Sequence, residues 1–257
     1  MTDPITLPDF VEDAETKLPG IAEEYSVLQG LARPLLAHRK SDDFEHTVML
    51  QSGIAWQHYL AILLLLAHGF GVQGLVLCRT LFEVVVGTLY LMKNPSLLSD
   101  FLDHGKLQFY DQGLATGLSQ HDVAKFAKEC KEIKARHALK AHQKGKRRLP
   151  WHGGDSIRSV ASPVGLADIY DLLYPYASSA THADATRTLS HGPQGWKRSL
   201  ESFLDEGESP IVRRSSFGLT GHLLLLVNQD LKMGNNKEAN ALLALIAERT
   251  KAAAMAN

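Results

Sequence analysis

The stretch from Gly71 to Lys93 constrains the fold more than any other part of this 257-residue sequence. Apolar residues recur on every side of a helix drawn through it, yet Arg79 and Glu83 stand in its middle. A helix that is apolar all round is normally buried, and an unpaired charge inside a protein costs several kcal/mol. The sequence therefore predicts a central, buried helix over residues 71–93, whose two charges are met by a third group.

The spacing of Arg79 and Glu83 places the two side chains one helical turn apart on the same face. Two interpretations follow from this arrangement. The pair is either a structural ion pair that fixes the position of the helix, or it is the floor of a polar pocket, because buried charges also mark functional sites.

The rest of the sequence has the periodicity of helices, with no alternating run or hairpin signal typical of β-strands. We predict an all-α fold, a bundle of about eight or nine helices. Residues 1–19 are acidic and contain three prolines, and we expect them to form a loosely held lead-in. Residues 20–257 are expected to form a single helical domain with a basic loop at residues 142–154.

Composition limits the location and the partners of the protein. The formal net charge of −1 gives the whole chain no attraction for nucleic acid, and two cysteines make neither a disulfide framework nor a zinc ribbon. Residues 47–78 are apolar enough to span a bilayer, but Gln, His and Gly residues interrupt them. Residues 1–15 lack the apolar core of a signal peptide. We therefore expect a cytoplasmic protein without a membrane span.

One region is strongly basic. Residues 125–148 carry ten Lys or Arg and two Glu, a local net charge of about +8. This pattern indicates either a solvated helix face with a surface loop or a contact with an anion or nucleic acid. Four scattered Arg–His pairs have the spacing of HEPN-type ribonucleases, which adds little weight to the second interpretation. The residues predicted to make that contact are Lys144, Lys146, Arg147 and Arg148.

The segment from Tyr170 to His191 holds the densest set of polar side chains on a predicted helix. Ser178 and Ser179 both lie within one helical turn of His182, a spacing that suits a nucleophile and its base. No nucleophile elbow accompanies them, and a packed, hydrogen-bonded histidine is the alternative. Metal-binding motifs are absent, and no spacing requires His182, His191 and Glu83 to converge, so we predict no metal site and no cofactor.

Two blocks of the sequence resemble DUF5677, a family of bacterial helical proteins of unknown function. The first block is LCRTLFEVVVGTLYL, with an Arg-x-x-x-Glu helix, and the second is LPWHGGDSIRSVASPVGLADIYDLLYPYASSATHADA. The resemblance covers roughly residues 45–230 and implies an all-α fold but no reaction. The residues that it singles out are Arg79, Glu83, Trp151, Tyr170, Tyr174, Ser179 and His182.

The leading hypothesis is a helical bundle with a buried polar pocket for a small, anionic ligand. In it Arg79 clamps the anion, while Glu83 orients Arg79 or accepts a ligand proton. Glu83 and His182 are the candidate catalytic residues, with His182 as the titrating partner. The other predicted ligand contacts are Trp151, Tyr170, Tyr174 and Ser179.

Two alternatives stay open beside this hypothesis, and the sequence does not decide whether the protein is an enzyme. The first is a nucleic-acid-acting effector, such as a HEPN-like ribonuclease of a toxin or defence system, that uses residues 125–148. The second is a structural module that forms homo-oligomers through an apolar helix face.

Overall fold

The computed structural model describes residues 8–38, 42–116, 120–143, 150–153, 156–181 and 209–255. Every regular element in these ranges is helical, so the predicted all-α class is confirmed. The ranges contain ten α-helices, slightly more than the eight or nine predicted. Their bounds are α1 Pro8–Lys17, α2 Ile21–Ala37, α3 Asp43–Ala67, α4 Gly71–Lys93, α5 Leu98–Thr116, α6 Gln120–Gln143, α7 Ile157–Ala161, α8 Ala167–Thr181, α9 Ser209–Asp230 and α10 Asn236–Met255.

The chain divides into two compact units. The first unit runs up to Thr88 and resumes at Asp168, so it contains α1, α2, α3, most of α4, α8, α9 and α10. The second unit, residues 89–167, contains the end of α4, α5, α6 and α7. It also contains two single-turn 3-10 helices, Pro95–Leu97 and Ser162–Val164. The first unit is thus built from two stretches of chain, separated in sequence by the second.

The first unit includes a helix inside the segment for which we expected a loosely held lead-in. This helix, α1, packs against α2 and α3, and its residues Val11 and Ala14 are buried. Glu15 fixes the turn that follows, because its carboxylate accepts hydrogen bonds from the backbone N–H groups of Gly20 (2.6 Å) and Ala22 (2.7 Å). Two buried apolar side chains and the Glu15 carboxylate therefore help to hold this acidic segment on the core.

The central position predicted for α4 is confirmed. Gly74 allows this helix to approach its neighbours closely, since a Cβ atom there would lie 3.3 Å from Leu66 on α3 and 3.4 Å from Val212 on α9. Burial raises the pKa of the Cys78 thiol to about 12, which keeps this cysteine protonated and unreactive. The fully buried residues of the helix within the first unit are Leu75, Cys78, Leu81, Phe82, Val85 and Val86.

Local signals at the ends of the helices determine where they begin and turn. The side chain of Asp42 caps α3 by accepting a hydrogen bond from the N–H of Glu45 at 2.8 Å. Gly69 has a φ of 78°, a left-handed conformation that suits glycine, and it turns the chain between α3 and α4. In the second unit, Ser156 and Ser159 form a reciprocal capping box at the start of α7.

Two helices, α3 and α4, are long and apolar enough to cross a bilayer, judged by length and composition alone. In α3, 33% of the most apolar window is buried inside the protein, and in α4 the share is 50%. Core helices of water-soluble proteins meet the same criteria, so these helices are weak grounds for a membrane location. The cytoplasmic location and the lack of a membrane span stay predictions.

A cluster of three charges joins α2, α9 and α10 in the first unit. Its members are Glu24, Arg213 and Arg249, and it is called the Glu24 cluster below. The side chain of Glu24 is 2% exposed, and its carboxylate lies 3.1 Å from Nε of Arg213 and 2.8 Å from Nη1 of Arg249. Both guanidinium groups also donate to backbone carbonyls, those of Pro19 and Gly20. Burial raises the pKa of Glu24, and the two arginines only partly offset this shift. The carboxylate is sealed from solvent, and each charge has a partner inside the protein.

We predict that Glu24→Ala lowers the free energy of unfolding by about 3–5 kcal/mol, because it leaves two guanidinium groups without their carboxylate. Chemical denaturation would measure the loss. The matched control is Glu23→Ala, an exposed position on the same helix, where a change within about 0.5 kcal/mol is expected. Equal effects of the two substitutions would contradict a structural role for the cluster.

Candidate functional site

Arg79 and Glu83 lie one turn apart on α4, as their spacing predicts. Nε of Arg79 donates a hydrogen bond to Oε1 of Glu83 over 3.2 Å. An ion pair of this i, i+4 type is worth only a few tenths of a kcal/mol when exposed. Its importance therefore depends on what else contacts the two side chains.

A third group does meet the pair, and it is the phenol of Tyr174 on α8. Nη2 of Arg79 donates to the Tyr174 hydroxyl at 3.0 Å, and that hydroxyl donates to Oε1 of Glu83 at 2.8 Å. Nη1 of Arg79 also contacts Oγ of Ser178, one turn further along α8, over 3.4 Å. Arg79, Glu83, Tyr174 and Ser178 are called the Arg79 cluster below. The cluster joins two helices that are about 90 residues apart in sequence.

Aromatic rings surround one side of the Arg79 cluster. Cζ of Arg79 lies 4.8 Å from the centroid of the Tyr174 ring, within the range of a cation–π contact. The ring of Tyr170 stacks on that of Tyr174, with centroids 4.7 Å apart and planes at 20°. Phe82 lies 6.1 Å from both tyrosine rings. The tyrosines are thus held by apolar contacts on α4, and the hydroxyl of Tyr174 is held at the charges.

The prediction that both charges are buried is wrong, because both side chains are only half-buried. The side chain of Glu83 is 41% exposed, and that of Arg79 is 22% exposed. The reason is energetic, because a fully buried pair would lose the hydration of both ions. The pair instead lies at the edge of the apolar face of α4, where the carboxylate keeps contact with solvent. The site is an open, half-buried cluster and not the enclosed pocket that we expected.

The contacts within the cluster set the protonation states of its members. Desolvation lowers the pKa of Arg79, but the hydrogen bond to Tyr174 and the charge of Glu83 outweigh it, so the net shift is upward. Burial raises the pKa of Tyr174, and the hydrogen bond to Glu83 adds to that rise. At neutral pH the guanidinium is therefore charged and the phenol carries its proton, which it donates to Glu83.

The structure brings together some of the predicted ligand contacts and not others. Tyr170 and Tyr174 are adjacent to Arg79, whereas Trp151 belongs to the second unit and packs there against Phe101, with ring centroids 5.0 Å apart. The side chain of Ser179 and the whole of His182 lie outside the described residues. Their proposed roles stay predictions, and so does that of Trp151.

Sequence reasoning chose Ser179 as the ligand contact and missed Ser178, the serine that touches Arg79. A signal for Ser178 was present in its spacing. Tyr174 and Ser178 are four residues apart, so both lie on the face of α8 that meets α4. Choosing Tyr174 as a contact should have led to Ser178 as its neighbour.

A cavity of about 390 Å³ lies elsewhere in the first unit, along α2 and α3. Its lining is mostly apolar and includes Leu36, Leu50 and Trp56, with Leu224 of α9. None of the predicted site residues lines it. This cavity therefore has no connection with the Arg79 cluster in the part of the chain that the structure describes.

The described part of the basic region forms α6, and acidic residues of α5 neutralise some of its charge. Nζ of Lys134 lies 2.7 Å from Asp111, and Nη2 of Arg136 lies 2.7 Å from Asp103. The predicted nucleic-acid contact therefore rests on residues beyond these pairs and stays a prediction. The residues concerned, all outside the described ranges, are Lys144, Lys146, Arg147 and Arg148.

We predict that Tyr174→Phe lowers the free energy of unfolding by about 0.5–1.5 kcal/mol, since it removes the hydroxyl that bridges Arg79 and Glu83 but keeps the ring. Urea denaturation would measure the change. Tyr170→Phe is the matched control, because the Tyr170 ring stacks in the same place and its hydroxyl makes no hydrogen bond among the described residues. Equal stability of Tyr174→Phe and Tyr170→Phe would contradict a stabilising role for the Tyr174 hydroxyl.

Comparison with models of protein families gives a match. The sequence model of a family described as "Family of unknown function (DUF5677)" matches residues 49–192, more than half of the chain. No curated protein and no solved structure matches the sequence. The matched segment contains both helices of the Arg79 cluster. This chain therefore belongs to the family of unknown function DUF5677.

Proposed function

We propose that the protein binds a small molecule at the Arg79 cluster, and that this molecule carries an anionic group next to a hydrogen-bond donor. The single observation that supports the proposal most is the exposure of Glu83. Its carboxylate is 41% exposed while it accepts hydrogen bonds from Arg79 and Tyr174. A carboxylate that is positioned by the protein and still open to solvent has lone pairs left for a ligand.

Comparison with the Glu24 cluster supports a ligand-binding role for the Arg79 cluster over a purely structural one. Both clusters contain a carboxylate held by arginine, but Glu24 is 2% exposed and Glu83 is 41% exposed. The carboxylate of the Glu24 cluster is sealed from solvent, which fits a structural role. The Arg79 cluster has the same chemistry at a surface where a ligand has access to it.

The charges of the cluster define the kind of ligand. Arg79 is already balanced by Glu83, so a simple anion gains little from the pair as a whole. A molecule with both an anionic group and a donor matches the two charges at once, the anion at the guanidinium and the donor at the carboxylate. The contact from Arg79 to Ser178, at 3.4 Å, is longer than the usual hydrogen bond, and it is the one that an incoming anion displaces most easily.

The stacked tyrosines add an aromatic surface beside the charges. Tyr170 and Tyr174 are both half-buried, so their rings are in part accessible. Aromatic side chains with a few positioned polar groups are typical of the lining of small-molecule sites. His182, four residues after Ser178, is the candidate titrating partner, and it stays a prediction because it lies outside the described residues.

The proposal is tested with three probes that separate its requirements. Anthranilate carries a carboxylate beside an amine donor on an aromatic ring, benzoate lacks the donor, and aniline lacks the anion. We expect ligand-observed NMR with the full chain to show anthranilate binding more tightly than benzoate, and aniline binding least. Arg79→Lys should weaken anthranilate binding roughly tenfold, because lysine cannot form the planar, two-pronged contact.

The control is Arg33→Lys, an exposed arginine on α2, which should leave anthranilate binding unchanged. Circular dichroism and a melting curve would show that both variants are folded. Equal binding by the two variants, or no order among the three probes, would contradict a ligand site at Arg79. The structural interpretation of the Arg79–Glu83 pair would then be the better one.

A further inference from the structure

Three side chains of types that commonly bind metal ions lie together in the second unit. They are Asp100 and Asp103 on α5 and His137 on α6, and one potential ligand atom of each lies within 4.8 Å of the others. The two aspartates are three residues apart and so share a face of α5, against which α6 packs. The packing of α5 against α6 creates this group, and no short sequence motif predicts it.

The imidazole of His137 gives an independent sign that the group is a site. Its Nε2 atom is fully buried and makes no hydrogen bond within the described residues. It lies 3.9 Å from Oδ2 of Asp103, too far for a hydrogen bond. A buried nitrogen without a partner is unfavourable, so its position near two carboxylates needs an explanation. A cation held between the three side chains supplies one.

We infer that Asp100, Asp103 and His137 bind a divalent transition-metal ion, of which Zn²⁺ is the leading candidate. One imidazole nitrogen with two carboxylate oxygens is a ligand set that Zn²⁺ and Mn²⁺ accept, at distances of about 2.0–2.2 Å. Ligand atoms around such an ion lie roughly 3–4 Å apart. The group therefore closes on the ion with side-chain shifts of about 1 Å, well within the range of rotamer adjustment.

A basic side chain contacts the group from the solvent side. Nη2 of Arg136 donates to Oδ2 of Asp103 at 2.7 Å, and the Arg136 side chain is 55% exposed. Outer partners of this kind commonly hold a ligating carboxylate in place. Three protein ligands leave at least one position for water or substrate, as in catalytic zinc sites. The site shares no residue with the Arg79 cluster, so the inference does not depend on the function proposed above.

Calorimetric titration of Zn²⁺ into the metal-free full chain tests the inference. We expect about one ion per chain and clearly weaker binding of Mg²⁺, which prefers all-oxygen ligands. His137→Gln and Asp103→Asn should each weaken Zn²⁺ binding roughly tenfold or more, the loss typical of a disturbed metal site. Replacement of Zn²⁺ by Co²⁺ should give visible absorption bands that are lost in the His137→Gln variant.

The matched control is His46→Gln, an exposed histidine in the first unit, which should leave the Zn²⁺ titration unchanged. If His137→Gln or Asp103→Asn fails to fold, as judged by circular dichroism, Asp100→Asn provides the same test at a half-buried position. The inference is overturned if the wild type does not bind Zn²⁺. It is equally overturned if all variants bind as the wild type does, since that result means adventitious binding to other histidines.

Discussion

The contact of Arg79 and Glu83 with Tyr174 is the interaction on which the arrangement of α4 and α8 depends most. α4 is apolar along most of its surface and contributes a row of fully buried side chains to the first unit. Such a helix tolerates two charges only where they are paired and partly hydrated. The phenol of Tyr174 meets both requirements, because it accepts from the guanidinium, donates to the carboxylate and leaves the latter open to water. The same contact fixes which face of α8 meets α4.

The first unit contains two clusters in which arginine binds a carboxylate, and the two carboxylates differ in exposure. Around Glu24 the charges come from three helices and the carboxylate is sealed inside the protein, while the two guanidinium groups also bind backbone carbonyls. Around Arg79 the charges come from one helix and stay half-buried beside two stacked tyrosines. The exposure of the carboxylate thus separates a cluster suited to holding helices together from one that a ligand can reach. The second unit adds a third polar group, in which carboxylates and an imidazole converge between α5 and α6.

Local patterns in the sequence were enough to predict much of the fold. The bounds of α4 follow from its apolar run and from the glycine and proline residues beside it, and the i, i+4 pair follows from residue spacing alone. The resemblance to DUF5677 led to Tyr174, although periodicity by itself did not distinguish it from other tyrosines. The degree of exposure of Glu83 was not predictable, because it depends on how far α8 covers α4. The helix in residues 8–17 was missed because its acidic surface conceals two buried apolar positions.

Sequence patterns did not predict the groups that form when helices distant in the sequence pack together. Arg213 is 189 residues from Glu24 in the sequence and Arg249 is still further away, and no motif links them. Asp103 and His137 are more than 30 residues apart, so a search for short metal-binding motifs passed over them. Such groups depend on helix crossing and rotation, which side-chain spacing within one helix does not specify. Residue spacing therefore predicted pairs within helices, and Tyr174, indicated by the resemblance to DUF5677, was the one partner from another helix that was predicted and observed among the described residues.

The central claim is that Arg79 and Tyr174 act as one unit, and a double-mutant cycle tests it most directly. The free energies of unfolding are measured for the wild type, Arg79→Lys, Tyr174→Phe and the double variant. The account predicts a coupling energy of about 0.5–1.5 kcal/mol, because either single change already breaks the shared hydrogen bond. Effects that add to within about 0.3 kcal/mol would contradict it, since independent side chains behave in that way.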